Sequence, residues 1–136
     1  MSRKISVITL QDCGRDSGKV FQLTEMSAKR GFSWALRALL SIGKSGINMP
    51  DNLKDMGLAG IARMGIETLF KIDPVEAEPL LEELLGCVMY LPDPKKPNII
   101  RHLIDDDIEE IMTRFKLVKE VFSLHVSFLD SESDTG

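Results

Sequence analysis

The segment RKISVITLQDCGRDSGKVFQLT, residues 3–24, decides how this 136-residue chain is read. Residues 3–10 are β-branched and alternating, and residues 19–24 place Phe21 and Leu23 on one face. Between them Asp12, Gly14, Asp16, Ser17 and Gly18 supply turn chemistry. The segment therefore predicts a β-hairpin, and it carries the only strand signals in the chain. The expected class is α+β, mainly α: an N-terminal β-hairpin over residues 1–25, then about four amphipathic helices completing a single domain over 1–129. Residues 130–136 read as a disordered acidic tail. A lone hairpin is marginal in water, so its apolar face has to lie against the helices or pair with another chain's strands.

Working outward, residues 27–44 repeat apolar side chains at three- and four-residue steps through Ala28, Phe32, Ala35, Leu36, Leu39 and Leu40, and Gly46 with Pro50 supplies a stop. Residues 53–71 keep the period through Leu58, Ile61, Ala62, Ile66 and Leu69. There Gly57, Gly60 and Gly65 each cost roughly 1 kcal/mol relative to alanine, which makes this helix dependent on tertiary support. Asp73 with Pro74 and Glu76 is a helix start, and Pro79 suggests a reset of register near Glu78. Leu80, Leu81, Leu84, Leu85, Val88 and Leu91 form a third stripe. The three prolines of residues 91–98 make a stiff loop. A long last helix is expected with Asp105, Asp106, Asp107, Glu109 and Glu110 crowding its first turns and Ile108, Ile111, Met112, Phe115, Val118, Phe122 and His125 or Val126 continuing one apolar stripe to Leu129.

A composition of 43% hydrophobic and 28% charged residues excludes collagen, a mucin-like stalk and a wholly disordered chain. No run approaches the roughly 18 apolar residues of a bilayer span, and the start lacks a signal-peptide core, so a soluble intracellular protein is expected. Cys13 and Cys87 form no CxxC pair and are expected as free thiols. The net charge of −4 hides an asymmetry: net +5 through Lys71 and net −9 from Ile72 onward. That pattern fits halves that complement each other, within one copy or between copies.

Residues 38–45, ALLSIGKS, satisfy the loose form of a phosphate-binding loop. That chemistry needs a strand feeding a glycine-rich loop and then a helix, and here a helix runs into the motif and Pro50 follows it. The acidic run 105–110 lacks the glycine and spaced ligands of a calcium loop. His102 and His125 belong to no metal-ligand spacing. Cys87, after Gly86 in an apolar stretch, reads as a buried inert thiol. No enzyme, metal or cofactor is expected. Arg30, Trp34, Arg37, Ser41 and Lys44 follow helical spacing and place the only tryptophan on a basic stripe, away from a core face of Phe32, Leu36 and Leu39. The stripe either meets an acidic protein partner, with Arg30, Trp34, Arg37 and Lys44 as interaction residues, or Trp34 packs within its own chain.

KVFQLTEMSA leading into FSWALRALLSIGKSG, then GLAGIA, AEPLLEELLGCV and DDIEEIMTRFKLVKEVFSLHVSFL, together resemble the small tail assembly chaperones of long-tailed bacteriophages. The likeness covers nearly the whole chain and rests on pattern and element order. It implies a non-enzymatic chaperone in the infected host's cytoplasm. Such a chaperone coats the tape measure protein, keeps it soluble and yields to major tail protein as the tube polymerises. It transfers no specific functional residues. Self-association is expected, with no nucleic-acid or membrane partner. The competing reading is a small phage or bacterial regulator that binds and inhibits a host protein.

Overall fold

The computed structural model of the protein describes residues 4–11, 14–46 and 66–135, with side chains in the last helix described through Val126. Its strands are β1 (Ile5–Thr9), β2 (Val20–Thr24), β3 (Val88–Leu91) and β4 (Arg101–His102). Its described α-helices are α1 (Ala28–Lys44), α2 (Pro74–Leu85) and α3 (Ile111–Thr135). Short 3-10 helices occupy Gly14–Asp16, Ile66–Lys71 and Asp105–Asp107. The helix expected over 53–71 lies outside the described residues as far as residue 65, as does Cys13. Packing divides the chain into two compact units, Met1–Glu25 with Glu83–Leu124, and Met26–Glu82 with His125–Gly136.

The first unit holds the hairpin as expected, with β1 antiparallel to β2 and Val7 opposite Gln22. The sheet is larger than the hairpin. β3 pairs antiparallel with the other edge of β2, Phe21 opposite Tyr90, and β4 pairs with β3, giving the order β1-β2-β3-β4. Residues 88–91, read from the apolar stripe as the end of a helix, are therefore a strand. α2 stops at Leu85, the Cys87 N–H closes on the Leu84 carbonyl at 3.0 Å, and the β-branched and aromatic run that follows finds β2. Phe21, Leu23 and Val88 are buried, as are Leu117, Val118, Val121 and Phe122 of α3.

A buried carboxylate joins the hairpin turn to the start of α3. Gly14 and Gly18 adopt φ of 58° and 88°, which lets the turn coil back and sink Asp16 completely. A side chain at Gly14 would also strike the Glu110 carboxylate. Asp16 accepts hydrogen bonds from the Glu109 N–H at 3.0 Å, the Glu110 N–H at 2.9 Å and the Thr113 hydroxyl at 2.7 Å. Lys19 Nζ donates to Asp16 Oδ1 and to the Asp107 carbonyl, both at 2.8 Å. Burial alone would raise the Asp16 pKa. The bonds from Lys19, Thr113 and the two backbone N–H groups outweigh it and hold the carboxyl well below the usual range. The acidic run expected to open the last helix precedes it instead. α3 begins at Ile111, while Asp107 is buried and ion-paired with Arg101 at 2.6 Å. At its other end α3 continues through residues 130–135, read from sequence as a disordered tail.

In the second unit Ser27 caps α1 by accepting from the Arg30 N–H, and α1 buries Trp34, Ala38, Ser41 and Ile42. The Trp34 indole N–H donates to the Leu80 carbonyl at 2.9 Å. Asp73 opens α2 as expected, its Oδ1 accepting from the Val75 N–H at 3.0 Å, but Pro79 lies inside one continuous helix and resets nothing. His125 accepts the Met26 N–H at its Nε2, 2.8 Å away.

Two outcomes follow for stability. Asp16→Asn sets an amide among donors that need an acceptor and should cost on the order of 3 kcal/mol in chemical denaturation. Because the folded carboxyl titrates below the unfolded one, its contribution is complete above about pH 4 and is lost as pH falls toward the folded value. The native chain should lose stability steeply between pH 4 and 2, and the Asn variant less so; equal slopes would refute this account. Trp34→Ala should cost about 3–5 kcal/mol by cavity formation, and Trp34→Phe about 1 kcal/mol for the lost hydrogen bond. An unchanged melting curve for Trp34→Ala would show that the indole is not core.

Candidate interaction surface

α1 is apolar on two faces. Trp34, Ala38 and Ile42 at four-residue steps form the buried one, and Phe32, Leu36 and Leu40 at the same steps form an exposed one, 56%, 49% and 71% accessible. Leu39 and Ala35, between the two, are half-buried. The expectation from sequence put Phe32, Leu36 and Leu39 on the core face, where Phe32 and Leu36 are in fact exposed, and left Trp34 either at a partner or packed within its own chain; the second alternative holds. Periodicity cannot decide between two stripes of equal spacing. The indole N–H decides it here, because the Leu80 carbonyl satisfies it in the interior and small Ala38 one turn on leaves room for close packing.

The predicted stripe Arg30, Trp34, Arg37, Lys44 is thus divided. Trp34 belongs to the core, while Arg30, Arg37 and Lys44 are exposed. Seven-residue steps keep the three cations on one line, about 80–120° around the helix from the centre of the apolar face at 100° per residue. With Lys29 they are the charged residues of a helix that contains no acid. Arg37 Nε donates to Ser33 Oγ at 3.3 Å. Lys44 donates to Glu76 Oε1 at 2.8 Å, and Ser41 donates to Glu76 Oε2 at 2.9 Å. Both bonds lower the Glu76 pKa, that to Lys44 most. The pair lines a groove together with Leu40, Val75 and Pro79. Val75 is 80% accessible. The arrangement is a bare apolar ridge with a basic edge, suited chemically to an amphipathic helix carrying carboxylates along one flank.

The other candidates are structural. Residues 38–44, the phosphate-loop match, are turns of α1, their N–H groups directed along the helix rather than into a cradle. Cys87 is buried, and its thiol donates to the Glu83 carbonyl at 3.8 Å. Of the acidic run, Asp107 pairs with Arg101 and Glu110 with Arg15. Among the described residues no group of three or more His, Cys, Asp or Glu is placed to hold a metal. No described helix is long and apolar enough to cross a membrane.

Comparison with known proteins gives one family. No curated protein and no solved structure matches the chain. A family model described as phage tail assembly chaperone protein, TAC, matches residues 17–128, from the hairpin turn into α3. That span takes in both units and most of the chain: the protein belongs to the phage tail assembly chaperone family.

Proposed function

We propose that the protein is a non-enzymatic chaperone that binds the tape measure protein in the host bacterial cytoplasm. It keeps that client soluble and gives way to major tail protein as the tail tube polymerises; self-association is part of the same reading. Family membership supports a role in tail assembly. The observation that carries the finer reading is the open face of α1: three large apolar side chains in a row, beside a line of cations, with no acid on the helix. A water-exposed apolar ridge is costly to keep unless something covers it, and apolar burial at about 25 cal/mol per Å² supplies affinity without a fixed sequence requirement. Such a mode suits a long client coated at many places. Arg30, Arg37 and Lys44 would select segments with acidic flanks and impose a salt dependence.

The test is co-expression with tape measure protein followed by co-purification and client solubility. Leu36→Asp with Leu40→Asp should weaken capture by about 2 kcal/mol or more, as loss of a hot spot does, while folding stability shifts by no more than about 0.5 kcal/mol because both positions face water. Arg37→Glu should weaken capture most at low ionic strength. Normal capture by the double variant would place the client elsewhere, and loss of capture together with early melting would show that α1 acts through the fold.

A further inference from the structure

We propose that β1 is a self-pairing edge that joins two copies of the chain into one continuous sheet about a two-fold axis through Val7. The inference rests on the reading of the protein as self-associating and supplies the surface. Among the described residues β1 is an outer strand of the sheet. Its Leu10 N–H donates to the Lys19 carbonyl at 2.9 Å and its Lys4 carbonyl accepts from the Glu25 N–H at 3.0 Å. Antiparallel ladders alternate, so Ser6 and Ile8 also bond to β2, and Ile5, Val7 and Thr9 direct their N–H and C=O groups outward. None of these outward groups has a partner among the described residues. The same three residues share one face, where Ile5 and Val7 are 58% and 57% accessible.

Edge strands are ordinarily protected by charge, proline or a bulge. Ile5–Thr9, ISVIT, has no charge or proline, and its register against β2 is continuous. The occupant that fits is a second β1. Antiparallel pairing centred on Val7 sets Val7 against its own copy and Ile5 against the partner's Thr9. All the outward groups are then used in hydrogen-bonded pairs, and Ile5 and Val7 of both copies fall on one face. No like charges meet, since Lys4 comes opposite the partner's Leu10. The far edge of the sheet offers a poorer match: β4 has two residues, and the Arg101 side chain is held by Asp107. The favoured contact is therefore the closed two-fold one rather than a head-to-tail chain.

Sedimentation of the full-length protein across concentration should show a dimer. Val7→Lys and Val7→Glu each place like charges on the axis and should raise the dissociation constant at least about tenfold. Mixing the two variants should restore the dimer. In the unsubstituted protein, amide exchange at Ile5, Val7 and Thr9 should slow as concentration rises. This readout holds even if a variant folds poorly. A monomer at every concentration would overturn self-association and the edge together. An oligomer whose assembly ignores both substitutions, with exchange at these amides independent of concentration, would overturn the edge alone.

Discussion

The Asp16 carboxylate is the interaction on which the first unit depends. It is fully buried and charged, so water cannot stabilise it, and apart from Lys19 its donors come from a stretch more than ninety residues further along the chain. Those donors fix where α3 begins: two backbone N–H groups just before the helix and one hydroxyl in its first turn are met by a negative charge at the positive end of the helix. Lys19 ties the same carboxylate to the Asp107 carbonyl. Asp107 in turn holds Arg101, whose guanidinium lies 5.1 Å over the Tyr90 ring, itself 5.4 Å from Phe21. From turn to helix to strand, these polar groups form one connected set. A connected set of this kind specifies a unique arrangement, because any slip leaves a buried group without its partner.

How far the sequence foretold this varies with the physics at each site. The hairpin was readable because alternation and turn residues are local. So was the start of α2, where Asp73 acts on its own neighbours. The strand at 88–91 was not, because a short apolar run after an amphipathic helix satisfies helix and strand patterns alike, and the choice is made by a free edge on β2, whose Leu23 and Val20 stand opposite Val88 and Leu91. Asp16 was visible as a turn residue. Its role as acceptor for α3 depends on a pairing that nothing local announces. The acids at 105–110 were assigned to the helix dipole as a group, whereas two of them are committed to named arginines and the helix begins after them.

On α1 the difficulty was of another kind. Both of its apolar stripes obey the same period, so the pattern established a helix without establishing which side was inside. The basic residues were identified correctly as exposed, and the tryptophan was grouped with them because its spacing matched. A polar N–H on a large apolar side chain is the feature that could have separated them, since it can be buried wherever a carbonyl stands ready. The outcome is a helix whose outer side is as apolar as its inner side, a combination that a protein acting alone has little reason to retain and that an assembly factor can use.

The strand order also bears on synthesis. β2 is complete at Thr24, yet its second neighbour does not begin until Val88, 64 residues later. At about 5–20 residues per second, the ribosome leaves that edge open for roughly 3–13 s. During that interval the nascent chain carries a two-stranded ribbon with both margins unpaired, while residues 26–82, the larger part of the second unit, emerge. Closure of so long a connection adds an entropic barrier that grows only logarithmically with its length. The sheet is therefore finished late and from the β1 edge toward β4, which makes the young hairpin, rather than the folded chaperone, the state most exposed to mispairing.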